Sequence, residues 1–123
     1  MPKIAVLSSS EGARFQSLIE AQKSNRLKAE IVCLITDKAD CGAAQKAREA
    51  HIRVYYFDGR EVEPKVFDEE VAATLDFFKV DWVVLEGYGR NFTEALSRST
   101  EGRLVRLESE EAVAQLIEKV AKG

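Results

Sequence analysis

Two stretches of the sequence hold the residues best suited to chemistry. The first is Ser8-Ser9-Ser10-Glu11-Gly12-Ala13-Arg14, three hydroxyls and a glycine placed just ahead of an apolar pattern with helical period. Backbone N–H groups at the start of a helix are unpaired and lie at the positive end of its dipole, which suits a phosphate or another anion. Arg14 adds a charged donor there and Glu11 opposes it. Neither the Walker pattern nor G-x-G-x-x-G is present. The same serines also fit an ordinary N-cap, so the residues alone leave both readings open.

The second stretch is Glu86-Gly87-Tyr88-Gly89-Arg90-Asn91, which follows a short apolar run. Its two glycines permit a tight turn or the close approach of a ligand. Glu86 is the carboxylate best placed for work in a site; the alternative is a salt bridge to Arg90 or Arg14. Tyr88 offers a ring that either stacks on a ligand or plugs the cleft. The candidate ligand-binding set is therefore Ser9, Ser10, Glu11, Gly12, Ala13, Arg14, Glu86, Gly87, Tyr88 and Arg90. His51 lies after a helical segment and is expected in a turn. Cys33 belongs to an apolar run and is expected in the core. Cys41 has no histidine near it in the chain to activate a thiolate. No Ser-His-Asp or Cys-His arrangement can be assembled, so no catalytic residue is assigned, and a single histidine argues against a zinc centre.

The elements that must carry these loops alternate. Short Val/Ile/Leu-rich runs at Ile4–Leu7, Ile31–Ile35, Val54–Phe57, Trp82–Leu85 and Leu104–Leu107 predict strands. Helical spacing predicts helices over Arg14–Lys23, Ala43–Ala50, Pro64–Phe78, Phe92–Arg98 and Ser109–Lys122. In the third helix, Val66, Phe67, Val71, Leu75 and Phe78 are expected on the core face, with Asp68, Glu69 and Glu70 pointing elsewhere. Pro64 suits a first helical turn, and Ser109 ahead of Glu110 and Glu111 suits an N-cap. Strand–helix alternation of this kind means βαβ units, a parallel sheet and helices on both faces. Ligands of such sheets bind beyond the carboxyl ends of the strands, where both loops fall. The acidic run Asp58 to Glu70 is expected as a solvated face.

Composition narrows the function classes. At 123 residues the chain has the size of one domain, residues 1–123, with no linker or repeat. It is 46% hydrophobic and 32% charged, a globular profile that needs neither metal nor disulfide to fold. The net charge of −3 argues against a non-specific nucleic-acid binder. No apolar run is long enough for a membrane span. Two cysteines and no signal-peptide pattern predict reduced thiols and a cytoplasmic location.

Several dispersed segments resemble the N-terminal half of phosphoribosylglycinamide formyltransferase, the folate-dependent enzyme of purine biosynthesis. Val6 to Ile19 is similar to that family's opening strand, its Gly-Asn-Gly-Ser-Asn loop and the following Leu-Gln. Thr36-Asp37-Lys38-Ala39-Asp40 resembles its Ser-Asn-Lys-Ala-Asp turn, and Lys46 to Ala50 the helix after it. Asp81 to Arg90 resembles its Pro-Asp-Val-Val-Val-Leu-Ala-Gly-Phe-Met-Arg segment. The resemblance runs from about Lys3 to Leu107 and implies a three-layer α/β/α, Rossmann-like fold with five parallel strands in the order 3-2-1-4-5. It also implies a ligand class of phosphorylated small molecules or nucleotides and, for the family, the cofactor 10-formyltetrahydrofolate.

The departures bear on function. The family's Gly-Arg-Leu-Leu-Asn-Ile-His-Pro-Ser corresponds to Gly102-Arg103-Leu104-Val105-Arg106-Leu107-Glu108-Ser109, so Arg106 and Glu108 stand at the asparagine and histidine positions. In the anion loop, Glu11, Ala13 and Arg14 replace Asn, Ser and Asn, while Gly12 stays. The expectation is a shortened relative that keeps a phosphate- or nucleotide-binding half as a binding or regulatory module, lacks the catalytic Asn, His and Asp, and needs no cofactor by itself. Two alternatives stand beside it. One is a formyltransferase whose site another chain completes, and the other is a non-catalytic interaction domain, for instance a homodimer built on the sheet edge after the fifth strand.

Overall fold

The computed structural model describes residues 1–122. Ten elements alternate along it: β1 (Lys3–Leu7), α1 (Ala13–Lys23), β2 (Glu30–Thr36), α2 (Gly42–Glu49), β3 (Arg53–Tyr56), α3 (Pro64–Phe78), β4 (Trp82–Leu85), α4 (Glu94–Thr100), β5 (Leu104–Arg106) and α5 (Glu110–Ala121). The sheet order is β3-β2-β1-β4-β5, and every pairing is parallel. β1 is the centre: Ile4, Ala5, Val6 and Leu7 are all 0% exposed, because helices cover the sheet on both sides.

The two-residue period of a strand divides the core. Ile4 and Val6 face a cluster with Phe15, Leu18, Ile19, Ala43, Ala47 and Leu116, which puts α1, α2 and α5 on one side. Ala5 and Leu7 face Phe67, Val71, Leu75 and Leu96, which puts α3 and α4 on the other. Right-handed crossovers place the chain this way and leave every strand's carboxyl end on one edge of the sheet. β5 pairs only with β4 among the described residues, so its outer side is a sheet edge.

Every expected element is present with its bounds shifted by at most two residues, and three departures bear on the site. The fourth helix starts at Glu94 rather than Phe92, since Thr93 is its N-cap and Phe92 packs in the loop. The fifth strand stops at Arg106, and Leu107 is buried in the first core cluster. In α3, Val66 is 44% exposed while Asp68 is 1% exposed, the reverse of the expected facing. The Asp68 carboxylate accepts the N–H of Thr93 at 2.7 Å, so a buried carboxylate joins α3 to the start of α4. The other acidic residues of the Asp58–Glu70 run lie at the surface.

Local signals explain several ends. Pro64 opens α3, and Lys79 closes it with a left-handed φ of 53°. The Ser109 hydroxyl accepts the Ala112 N–H at 3.1 Å, an N-cap for α5.

Candidate functional site

The loop from β1 to α1 is held from three sides before any ligand is considered. The Ser8 N–H donates to the Ile35 carbonyl, the Ser9 N–H to Gly87 and the Ala43 N–H to Ser10, at 3.0–3.2 Å. β2, the turn after β4 and α2 therefore each anchor one residue of the serine run. Gly12, the N-cap of α1, has φ +80°, and an added Cβ would stand 2.8 Å from the Ala43 Cα. Glycine is required there by backbone conformation and by contact with α2 together.

The three hydroxyls point to carboxylates. Ser8 Oγ and Ser10 Oγ both donate to Glu86 Oε1, at 2.9 and 2.8 Å. Ser9 Oγ donates to Asp37 Oδ1 at 2.5 Å and accepts the Gly89 N–H at 3.1 Å. Glu86 is 3% exposed and makes no ion pair among the described residues, so neither Arg90 nor Arg14 is its partner, contrary to the alternative raised from the sequence. Ser10 Oγ also accepts the Gly12 N–H at 3.1 Å. The two-glycine turn after β4 serves this packing: Gly87 has φ +61°, and a Cβ there would come within 2.6 Å of the Ser10 Cβ.

What stays free is backbone. α1 has no side-chain cap, and the first helical bond closes from Gln16 to Gly12. Among the described residues, no acceptor bonds the N–H groups of Ala13, Arg14 and Phe15. Ala13 is exposed beside them, and Glu11 is exposed with its carbonyl accepting from Lys46 Nζ at 2.6 Å. Arg14 has a buried Nε without a partner. The first turn of α1 is thus exposed at Ala13, and Lys46 reaches the loop residue Glu11 just ahead of it. Lys46 was not singled out from sequence, because only the packing of α2 against α1 brings it there.

A separate cleft of about 550 Å³ lies between the loop after β4, the second half of α4 with the turn that follows it, and β5. Tyr88, Arg90, Asn91, Arg106 and Glu108 line it. Tyr88 sits edge-on to Phe92 with centroids 6.1 Å apart, and its hydroxyl is buried without a partner. Burial first, and the nearby Asp68 and Asp37 carboxylates after it, push the Tyr88 phenol well above its ordinary value, so it stays protonated. Arg90 turns inward, its guanidinium carbon 3.7 Å from the Phe67 ring centroid. Of the candidate residues, then, Ser9, Ser10, Gly12, Glu86 and Gly87 form one bonded cluster. Ala13 and Arg14 stand at the open helix start, and Tyr88 and Arg90 belong to the cleft wall.

The remaining chemistry-bearing residues lie elsewhere or are packed. His51 follows α2 with φ 60°, ahead of β3 and therefore at the opposite edge of the sheet. Cys33 is buried in β2, and burial pushes its thiol up to about 12. Cys41 is half-buried at the N-cap of α2, with Sγ 3.5 Å from Thr36 Oγ1. No cluster of three or more metal-ligating side chains occurs among the described residues, and no described helix is long and apolar enough to cross a membrane.

Comparison with known proteins places this architecture. Residues 2–107 match the N-terminal domain of a family described as formyl transferase. A phosphoribosylglycinamide formyltransferase of Escherichia coli is 32% identical over 109 residues, covering 85% of this chain and 50% of that protein. A chloroplastic one from Vigna unguiculata is 38% identical over 100 residues, covering 80% of this chain and 32% of the relative. The crystal structure of the Bacillus halodurans enzyme superposes with a TM-score of 0.80 at 28% identity, over 95% of this chain and 65% of that one. The chain spans about half the length of the bacterial relative and about a third of the plant one.

Proposed function

The chain belongs to the formyl transferase family, and we propose on that footing that it binds the phosphate of a small molecule at the start of α1 without itself transferring a formyl group. Its similarity to phosphoribosylglycinamide formyltransferases covers most of its length. The binding half of the proposal is supported by the open first turn of α1, with unbonded amides at Ala13, Arg14 and Phe15 and Lys46 reaching the loop residue just ahead of it. A phosphorylated small molecule or nucleotide would accept hydrogen bonds from those amides, and its sugar or base would lie toward the cleft.

The observation that carries the other half is the pair at the end of β5. Arg106 and Glu108, both exposed, line the cleft where the family resemblance calls for Asn and His. Formyl transfer builds negative charge on the carbonyl oxygen and moves a proton. Losing one oxyanion donor costs ~10²–10³ in rate, and losing a general acid or base costs ~10²–10⁴. An ionised Glu108 opposes the developing charge rather than stabilising it. Arg106 can donate, but its planar fork is far bulkier than an amide. The only histidine, His51, is at the far edge of the sheet. On this reading the chain is a binding or regulatory module.

Two assays test it. Thermal unfolding should shift upward with millimolar phosphoribosylglycinamide or a nucleoside monophosphate, and the chain alone should form no product from 10-formyltetrahydrofolate. Product formation by the isolated chain, or no shift with any phosphorylated ligand, overturns the reading. A second reading draws on the cleft opening beside the unpaired edge of β5: further polypeptide, from a second copy or another protein, could add the missing histidine and aspartate there. Product appearing only when a partner is added would favour it.

A further inference from the structure

The large apolar side chains left exposed are not scattered. Among the described residues, and apart from Met1, they are Tyr56 on β3, Val62 just ahead of α3, and Val66 and Phe77 on α3 itself. α3 turns Phe67, Val71 and Leu75 to the sheet. A second stripe runs along its outer side, where Val66, Glu70, Ala73 and Phe77 are all exposed and succeed one another at four, three and four residues. Phe77 is 75% exposed and sits edge-on to Phe78, with ring centroids 5.1 Å apart. A shallow hollow of about 360 Å³, lined by Tyr55, Ala73, Thr74, Phe77 and Phe78, carries the patch from α3 to the edge strand β3. Single exposed apolar side chains are ordinary, but a contiguous patch marks an interaction surface.

We infer that this chain pairs with a second copy of itself through the outer stripe of α3. The spacing favours a copy over another partner, because four-three-four reads the same in either direction. Two α3 helices laid antiparallel about a two-fold axis match every stripe position: Val66 meets the partner's Phe77 twice, and Glu70 meets the partner's Ala73 twice, long against small. The same register brings Lys79, just past the end of α3, to the partner's Glu63, just ahead of its start. Opposite charges and opposed helix dipoles then face each other at both ends. A closed two-fold contact uses one patch on both copies, so a self-matching stripe is what such a pair requires. β3 and β5 are the two edges of the sheet, so this surface is separate from the cleft beside β5, and the inference stands apart from the proposed function.

The test is sedimentation equilibrium of the full chain, as wild type, Phe77→Lys and Glu70→Leu, from micromolar to millimolar concentration. Both positions are exposed, so each variant should keep its fold, with thermal unfolding as the check. Wild type should run as a concentration-dependent dimer. Phe77→Lys should weaken it at least about tenfold, because the lost contact and the added charge each occur twice. Glu70→Leu should tighten it at least about tenfold, since an apolar layer replaces a charge beside the axis on both copies. Both shifts together uphold the inference, and a wild-type dimer with either one does so if the other variant fails to fold. A wild type that stays monomeric to millimolar concentration overturns it and leaves the patch to a different protein. A dimer indifferent to either folded variant also overturns it, placing the contact elsewhere or in another register.

Discussion

The Asp68 carboxylate, 1% exposed on α3, accepts the backbone N–H of Thr93 at 2.7 Å and so fixes where α4 begins. Tyr88 and Arg90 lie in the segment that runs from β4 to Thr93, so the loop lining the cleft is tied down at its far end by this bond. Asp68→Ala removes the acceptor and leaves a half-buried N–H unpaired, a loss of about 1–2 kcal/mol. Chemical denaturation should show it as a lower midpoint with an unchanged slope, and hydrogen exchange should rise first at Thr93 and along α4.

Gly12 and Gly102 share a φ of +80° but differ in their surroundings. A Cβ at Gly12 meets Ala43 Cα at 2.8 Å, whereas nothing stands within 4 Å of one at Gly102. Gly102→Ala should cost about 1 kcal/mol, the left-handed backbone alone. Gly12→Ala adds a clash with the α2 backbone, so it should cost about 2–4 kcal/mol, within the range of a strained backbone combined with overpacking. Equal losses in parallel thermal melts would mean that α1 and α2 are not held this close.

Cys33 gives a pH dependence. Burial raises its thiol from an ordinary 9.0 to about 12 in the folded chain. A raised folded value stabilises fully below pH 9, and that contribution is lost as pH climbs from 9 toward 12. Stability should accordingly fall across that alkaline window, and Cys33→Ala should flatten the fall. At pH 8 a thiol reagent should label Cys41 in the native protein and reach Cys33 only after denaturation.

Ala13→Glu separates folding from binding. A carboxylate in the first turn of α1 favours the helix dipole by about 0.3–1 kcal/mol. It also places a negative charge where the ligand's phosphate is proposed to sit. The melting temperature should hold or rise while affinity for a nucleoside monophosphate drops at least about tenfold, one charge–charge term. Unchanged affinity would move the ligand away from α1.

The sequence made the sheet legible because each strand is buried on both sides and each helix on one, which leaves a periodic trace. Val71 and Leu75 could be placed on the core face that way. Asp68 could not: its burial depends on one acceptor position opposite Thr93, and periodicity reads every carboxylate as solvated. In the site, the serine run and Glu86 could be recognised as ends of neighbouring strands, since β1 and β4 pair directly. That Glu86 takes the hydroxyls, leaving only amides for a ligand, follows from the close approach of Gly87 to Ser10. Spacing along the chain carries no record of that approach. Lys46 escaped notice for the same reason, being brought in by α2.

The most direct measurement is a crystal structure of the chain grown with a nucleoside monophosphate. The account predicts phosphate oxygens within hydrogen-bond reach of the Ala13 and Arg14 amide nitrogens, with Glu86 still holding Ser8 and Ser10. A nucleotide bound elsewhere, with Arg14 folded across an empty helix start, would contradict it.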